Sequence, residues 1–117
     1  MPRVLVIEDD ADIREPLLEL LRQAGYEVVG AEDGAAGLDA ARRRRPDVIL
    51  LDMQMPIVDG WEFLRTARGE PRLADICIVV FSATPHQVPG AAATFLKPLD
   101  FDHLLGVLAE ILSPAAG

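Results

Sequence analysis

Reactive polar residues stand directly after four apolar segments of the chain. They are Glu8, Asp9 and Asp10 after the first segment, Asp52 after the second, Ser82 after the third and Lys97 after the last. Carboxylates packed closely repel each other and are costly unless a cation lies among them. Oxygen ligands suit a magnesium ion, and a carboxylate beside a metal, a hydroxyl and an ammonium can attack a phosphoryl group. These residues therefore predict magnesium-assisted phosphoryl chemistry, provided that the fold brings them together.

The apolar segments are predicted strands of a parallel sheet. Residues 4–7, 48–51 and 77–81 are apolar throughout, as strands covered on both faces are, while residues 27–31 and 94–96 form two further short candidate strands. Helical patterns separate the strands, which predicts right-handed crossovers and an α/β sandwich. The carboxyl ends of parallel strands meet at one edge, where ligands bind. The polar residues are therefore expected at a single site.

Length and composition exclude several classes of protein. A chain of 117 residues is long enough for one domain, and its net charge of −8 does not attract nucleic-acid phosphates or anionic lipid. The single cysteine, Cys77, excludes an internal disulfide and a cysteine-based zinc site, and its place in an apolar segment predicts a buried core residue. No apolar run reaches the length of a membrane span, and the start does not resemble a signal peptide. We expect a cytoplasmic domain that binds neither nucleic acid nor membrane.

The order and spacing of the motifs resemble a known family. The motifs are Val4-Leu5-Val6-Ile7-Glu8-Asp9-Asp10, Leu51-Asp52-Met53-Gln54-Met55-Pro56 with Asp59-Gly60, Ser82-Ala83 and Lys97-Pro98. Together they resemble a response-regulator receiver domain of two-component signalling, and the resemblance spans nearly the whole chain. It implies a doubly wound, five-stranded parallel sheet of order 2-1-3-4-5.

The resemblance also implies a role for each site residue. Asp52 would accept a phosphoryl group from a histidine kinase, Ser82 would bond one phosphoryl oxygen, and Lys97 would pair with another. Glu8, Asp9 and Asp52 would hold Mg²⁺ together with the backbone carbonyl of Gln54. The family also suggests a cis peptide bond between Lys97 and Pro98. Asp10 and Asp59 are instead expected to cap helices.

The function that follows is a phosphorylation-controlled switch of partner binding, with no enzyme activity beyond self-phosphorylation and slow self-dephosphorylation. The expected partners are a sensor histidine kinase and either a histidine phosphotransfer protein or a downstream protein target. A phosphatase of the haloacid dehalogenase type needs a second acid two residues after the nucleophile, where this chain has Gln54. A flavodoxin-like cofactor carrier needs a glycine-rich phosphate loop, which follows none of the strands. A degenerate receiver that binds partners without phosphorylation is the alternative, and the intact acids, Ser82 and Lys97 argue against it.

Two departures from the family pattern predict an altered output region. Thr94 stands where receivers usually carry an aromatic residue, and its neighbour Phe95 should point to the opposite face of the strand. About eleven residues remain for the crossover after Ser82, the lower limit for a crossover with its helix, and Pro85, Pro89 and Gly90 interrupt them. The helix between the fourth and fifth strands should therefore be absent or reduced to about one turn near residues 91–93.

Two further expectations concern domain limits and charge. Residues 1–117 should form a single receiver domain with no effector domain, because the chain ends soon after its last helical pattern. The carboxylates of Glu8, Asp9 and Asp52 should repel each other, so at least one of them should have a raised pKa.

Overall fold

The computed structural model describes residues 1–54, 59–83 and 88–113. Five strands and four helices alternate through these residues, except that β4 is followed by β5 with no described helix between them. The elements are β1 (Arg3–Ile7), α1 (Ala11–Gln23), β2 (Glu27–Ala31), α2 (Gly34–Arg43), β3 (Val48–Asp52), α3 (Gly60–Arg68), β4 (Cys77–Ser82), β5 (Ala93–Leu96) and α4 (Phe101–Ile111). No helix in the described ranges is long and apolar enough to cross a membrane.

All strand pairs are parallel, and the sheet order is β2-β1-β3-β4-β5, as predicted. The central strand β3 is buried at every residue because helices cover both faces of the sheet. Alternate residues of β3 enter different cores: Ile49 and Leu51 join the core with α2 and α3, while Leu50 joins the core with α1 and α4. The two faces anchor the strands firmly, so their carboxyl ends form a fixed platform.

An aspartate caps each of the four described helices. The side chains of Asp10, Asp33, Asp59 and Asp100 each accept a hydrogen bond from a backbone N–H in the first turn of the helix that follows. The predicted capping roles of Asp10 and Asp59 are therefore confirmed. Each of these helices follows a strand of the sheet, so the capped first turns lie on the side of the sheet where the strands end.

The connection from β4 to β5 contains no helix among residues 83 and 88–92, which confirms the predicted loss of that crossover helix for those residues. Pro89 and Gly90 instead form a turn, and the positive φ of 82° at Gly90 is a conformation that favours glycine. Val88 is buried in the core beside α3, and the Arg68 side chain bonds the carbonyl of Pro89. Pro85, which was also expected to interrupt this helix, lies outside the described residues.

Side-chain exposure confirms one expectation on this part of the chain and corrects another. Thr94 is exposed while Phe95 is buried against α4, so the two residues point to opposite faces of β5 as predicted. The prediction that Cys77 is a core residue is wrong, because its thiol is exposed. Cys77 is the first residue of β4, at the amino edge of the sheet, where the strand has not yet entered the core.

Candidate functional site

The carboxyl edge of the sheet gathers the residues that the sequence singled out. Glu8 follows β1, Asp52 ends β3, Ser82 ends β4 and Lys97 follows β5. Glu8, Asp52 and Ser82 are almost completely buried, at 1%, 0% and 1% exposure, whereas Asp9 is exposed. Three buried polar side chains at neighbouring strand ends indicate a built site, because polar groups are seldom buried without a compensating partner or a ligand.

The acidic residues form a compact cluster. One carboxylate oxygen from each of Glu8, Asp9 and Asp52 lies within 4.8 Å of the others. Among the described residues, the buried Oε2 of Glu8 and Oδ2 of Asp52 accept no hydrogen bond. Two orphaned carboxylate oxygens beside a third, exposed carboxylate fit a hard divalent cation such as Mg²⁺, which prefers oxygen ligands and retains part of its water.

Lys97 supplies the positive charge of the site. Its Nζ lies 3.0 Å from Oδ1 of Asp52 and 3.9 Å from Oε2 of Glu8. The Lys97 side chain is 23% exposed, whereas the side chains of Glu8 and Asp52 that face it are each 1% exposed. The peptide bond between Lys97 and Pro98 is cis, as the resemblance suggested.

The two oxygens of Asp52 have different surroundings. Oδ1 accepts a hydrogen bond from the backbone N–H of Gln54 at 3.0 Å and pairs with Lys97. Oδ2 is buried and receives no hydrogen bond from the described residues. The carboxylate is therefore held in one orientation through Oδ1, while Oδ2 keeps its lone pairs for a metal or an electrophile.

Glu8 carries the perturbed pKa of the site. Burial, which disfavours the charged carboxylate, raises its pKa to about 8. The backbone N–H of Asp10, which donates to Glu8 Oε1 at 3.1 Å, works against this shift, and the negative charge of Asp52 adds to it. The expected raised pKa is confirmed for Glu8, but its main cause is burial, and repulsion between carboxylates contributes less.

Ser82 is joined to a residue whose side chain the sequence did not single out. Gln54 Nε2 donates to Ser82 Oγ at 2.7 Å, and the N–H of Ala83 donates to Gln54 Oε1 at 2.9 Å. The sequence predicted a role only for the Gln54 backbone carbonyl. A long side-chain amide two residues beyond Asp52, beside a strand that ends in Ser82, was the signal that could have indicated this bridge. The Met55-Pro56 part of the motif lies outside the described residues.

The family model and the similar curated proteins all point to the same family. The model of the response regulator receiver domain matches residues 4–109. Transcriptional regulatory protein PrrA of Mycobacterium tuberculosis is 41% identical over 117 residues, covering 96% of this chain and 47% of PrrA. Protein Rrf1 of Nitratidesulfovibrio vulgaris is 32% identical, covering 97% of this chain and 85% of Rrf1. The chain thus spans about half the length of PrrA and similar curated relatives.

Solved structures agree with the sequence comparison. Chemotaxis protein CheY4 of Vibrio cholerae superimposes with a TM-score of 0.86 at 31% identity, covering 96% of this chain and 99% of CheY4. Response regulator TrrA of Thermotoga maritima, in complex with Mg²⁺ and BeF, superimposes with a TM-score of 0.85 at 31% identity, covering 96% and 100%.

The doubly wound sheet of order β2-β1-β3-β4-β5 is the fold of CheY-like receiver domains. The chain belongs to the response regulator receiver domain family of two-component signalling.

Proposed function

We propose that Asp52 is the phosphoacceptor of this receiver and that a histidine kinase is the donor. The observation that carries the proposal is the state of the Asp52 carboxylate: it is fully buried, Oδ1 is held by Lys97 and Gln54, and Oδ2 accepts no hydrogen bond from the described residues. A buried, oriented carboxylate with one uncommitted oxygen is a suitable nucleophile for a phosphoryl group.

The phosphoryl group would pass from the kinase to Asp52 in a single displacement. An Asp52 oxygen forms a bond to phosphorus as the phosphorus–nitrogen bond of a phosphohistidine breaks, and the electron pair of that bond leaves with the imidazole nitrogen. Lys97 Nζ, 3.0 Å from Asp52 Oδ1, is close enough to pair with a phosphoryl oxygen on the same carboxylate. Ser82 Oγ, at the end of the adjacent strand, is proposed to donate to another phosphoryl oxygen.

We assign the magnesium ligands to Glu8, Asp9, Asp52 and the backbone carbonyl of Gln54. The close approach of the three carboxylates and the two orphaned oxygens support this assignment. When bound, Mg²⁺ neutralises the carboxylates and the incoming phosphoryl oxygens. Glu8, whose pKa is about 8, must release its proton before its carboxylate can bind a cation.

The biological proposal is a phosphorylation-controlled switch without further enzyme activity, acting in the cytoplasm through residues 1–117 as one receiver domain. Its partners would be the kinase and either a histidine phosphotransfer protein or a downstream protein that reads the phosphorylated state. The net charge of −8 disfavours direct contact with nucleic acid by these residues. The intact Asp52, Ser82 and Lys97 favour this switch over a phosphorylation-independent interaction module.

Acetyl phosphate tests the assignment without requiring the kinase. With Mg²⁺ present, intact-mass spectrometry should show one added phosphoryl group on the wild type and none on Asp52→Asn, because an amide is not an equivalent nucleophile. Asp59→Asn is the matched control: Asp59 caps α3, asparagine caps helices equally well, and labelling should persist. Equal labelling of wild type and Asp52→Asn would overturn the proposal.

A further inference from the structure

The side chain of Gln54 bridges the ends of β3 and β4. Its amide nitrogen donates to Ser82 Oγ at 2.7 Å, and its amide oxygen accepts the Ala83 N–H at 2.9 Å. We propose that this pair of bonds, the Gln54 latch, holds Ser82 and the start of the β4–β5 connection in a resting position and opens when a phosphoryl group occupies Asp52. The inference rests on the proposed phosphoacceptor function of Asp52.

Both sides of the latch are fixed at their backbones. The N–H of Gln54 is bonded to Asp52 Oδ1 at 3.0 Å, and the carbonyl of Ser82 accepts the N–H of Lys97 at 2.9 Å. The backbone of Gln54 is therefore bonded to the proposed phosphoacceptor, while its side-chain amide bonds the Ser82 hydroxyl and the Ala83 N–H. Rotation of the Ser82 side chain is enough to break its bond to Gln54 without moving this backbone, because hydrogen bonds weaken steeply with distance and angle.

The latch opposes the phosphorylated state. The Ala83 N–H has a single proton, so it cannot bond another acceptor while Gln54 holds it. A phosphoryl group on Asp52 would draw the Ser82 hydroxyl away from Gln54, whose backbone stays bonded to Asp52. Each bond of this kind contributes roughly fivefold to an equilibrium constant, less where water competes. Gln54 is thus a positioning residue that restrains the switch by roughly 3- to 30-fold.

The remainder of the connection has separate anchors. Val88 is buried in the core, the Pro89 carbonyl is bonded by Arg68, and the Ala92 N–H donates to the Ile78 carbonyl at 2.8 Å. Opening of the latch would therefore change the hydrogen bonding of Ser82 Oγ and of the Ala83 N–H, while residues 88–92 remain in place. The Gln54 latch thus links the site to the β4–β5 connection in a chain that has Thr94 where receivers usually carry an aromatic residue.

The test compares wild type with Gln54→Met, which keeps the length of the side chain and removes both hydrogen-bonding groups. Gln23→Met is the matched control, because Gln23 is an exposed residue of α1 that donates only to Glu19 among the bonds described. Nuclear magnetic resonance measures hydrogen exchange and the proton shift of the Ala83 amide in the metal-free protein. Beryllofluoride with Mg²⁺, an analogue of the phosphoryl group, measures affinity through the fluorescence of Trp61, the single tryptophan.

We expect Gln54→Met to accelerate Ala83 exchange and to bind beryllofluoride roughly 3- to 30-fold more tightly than wild type, while Gln23→Met matches wild type. Unchanged Ala83 exchange would overturn the latch. Faster exchange with equal or weaker beryllofluoride affinity would overturn its restraining role. If neither protein bound beryllofluoride, the phosphoacceptor proposal would fail, and the exchange data would still decide whether the latch exists.

Discussion

The buried carboxyl group of Glu8 makes a sharp prediction about stability and pH. Its pKa is 4.5 in an ordinary environment and about 8 in the fold, so the folded protein binds one more proton than the unfolded chain between these values. The free energy of unfolding of the metal-free protein must therefore fall as the pH rises through that window. This contribution is fully present below pH 4.5 and is lost as the pH rises through about 8.

The size of the effect follows from the shift. At 1.36 kcal/mol for each pH unit, a pKa raised from 4.5 to about 8 corresponds to at most about 5 kcal/mol. Lys97 Nζ lies 3.9 Å from Glu8 Oε2, and its attraction for the ionised form already keeps the pKa from rising further. Between pH 5.5 and pH 8.5 we therefore expect a loss of about 2–3 kcal/mol in EDTA.

Glu8→Gln isolates this contribution. Glutamine has nearly the same shape, can still accept the Asp10 N–H, and does not titrate, so the variant should lose less stability than wild type over the same pH range. Urea unfolding followed by Trp61 fluorescence measures both proteins, and the difference between them removes the contribution of other titrating groups. Glu15→Gln, at an exposed position of α1, is the control and should follow wild type. Identical pH slopes for wild type and Glu8→Gln would refute the assignment of a buried, protonated Glu8.

Three other predictions use the same unfolding assay. Mg²⁺ at a hundred times its Kd should raise the free energy of unfolding of wild type by about 2.7 kcal/mol, and Asp9→Asn should reduce this gain because it removes one of the three clustered carboxylates. Lys97→Met should lower the free energy of unfolding by about 2–3 kcal/mol, since Asp52 Oδ1 loses its charged partner. An unchanged urea midpoint would contradict the close pairing of Lys97 with Asp52. Gly90→Ala should cost about 1 kcal/mol or more, because φ at Gly90 is 82° and an added Cβ would meet the Arg68 guanidinium; a neutral result would show that this turn can relax.

The strands and the edge where the site lies could be predicted from the sequence because they depend on the pattern of apolar and polar residues along the chain. The strands β1, β3 and β4 are apolar at successive positions, so both of their faces must be buried, which indicates a parallel sheet covered by helices. The polar residues that follow these strands then lie at one edge of the sheet. The lack of a helix among the described residues 83 and 88–92 was predictable from the few residues between Ser82 and Lys97 and from the prolines and glycine among them. The resemblance supplied the sheet order, which the structure confirms.

Other features depend on three-dimensional neighbours that the sequence does not reveal. The bridge from Gln54 to Ser82 and Ala83 joins residues 28 and 29 positions apart, through a side chain for which the pattern indicated no role. The exposure of Cys77 depends on where β4 emerges from the core. The raised pKa of Glu8 was expected from repulsion, but its larger cause is burial, which becomes visible only once the helices are in place.

The identity of the phosphoacceptor is tested most directly by chemical trapping. An acyl phosphate is reduced by borohydride to an alcohol, which converts a phosphorylated aspartate to homoserine. After incubation with acetyl phosphate and Mg²⁺ followed by borohydride, peptide mass spectrometry should find homoserine at position 52 and unmodified aspartate at positions 9, 10 and 59. Homoserine at one of those other positions, or labelled protein with unmodified Asp52, would contradict the account.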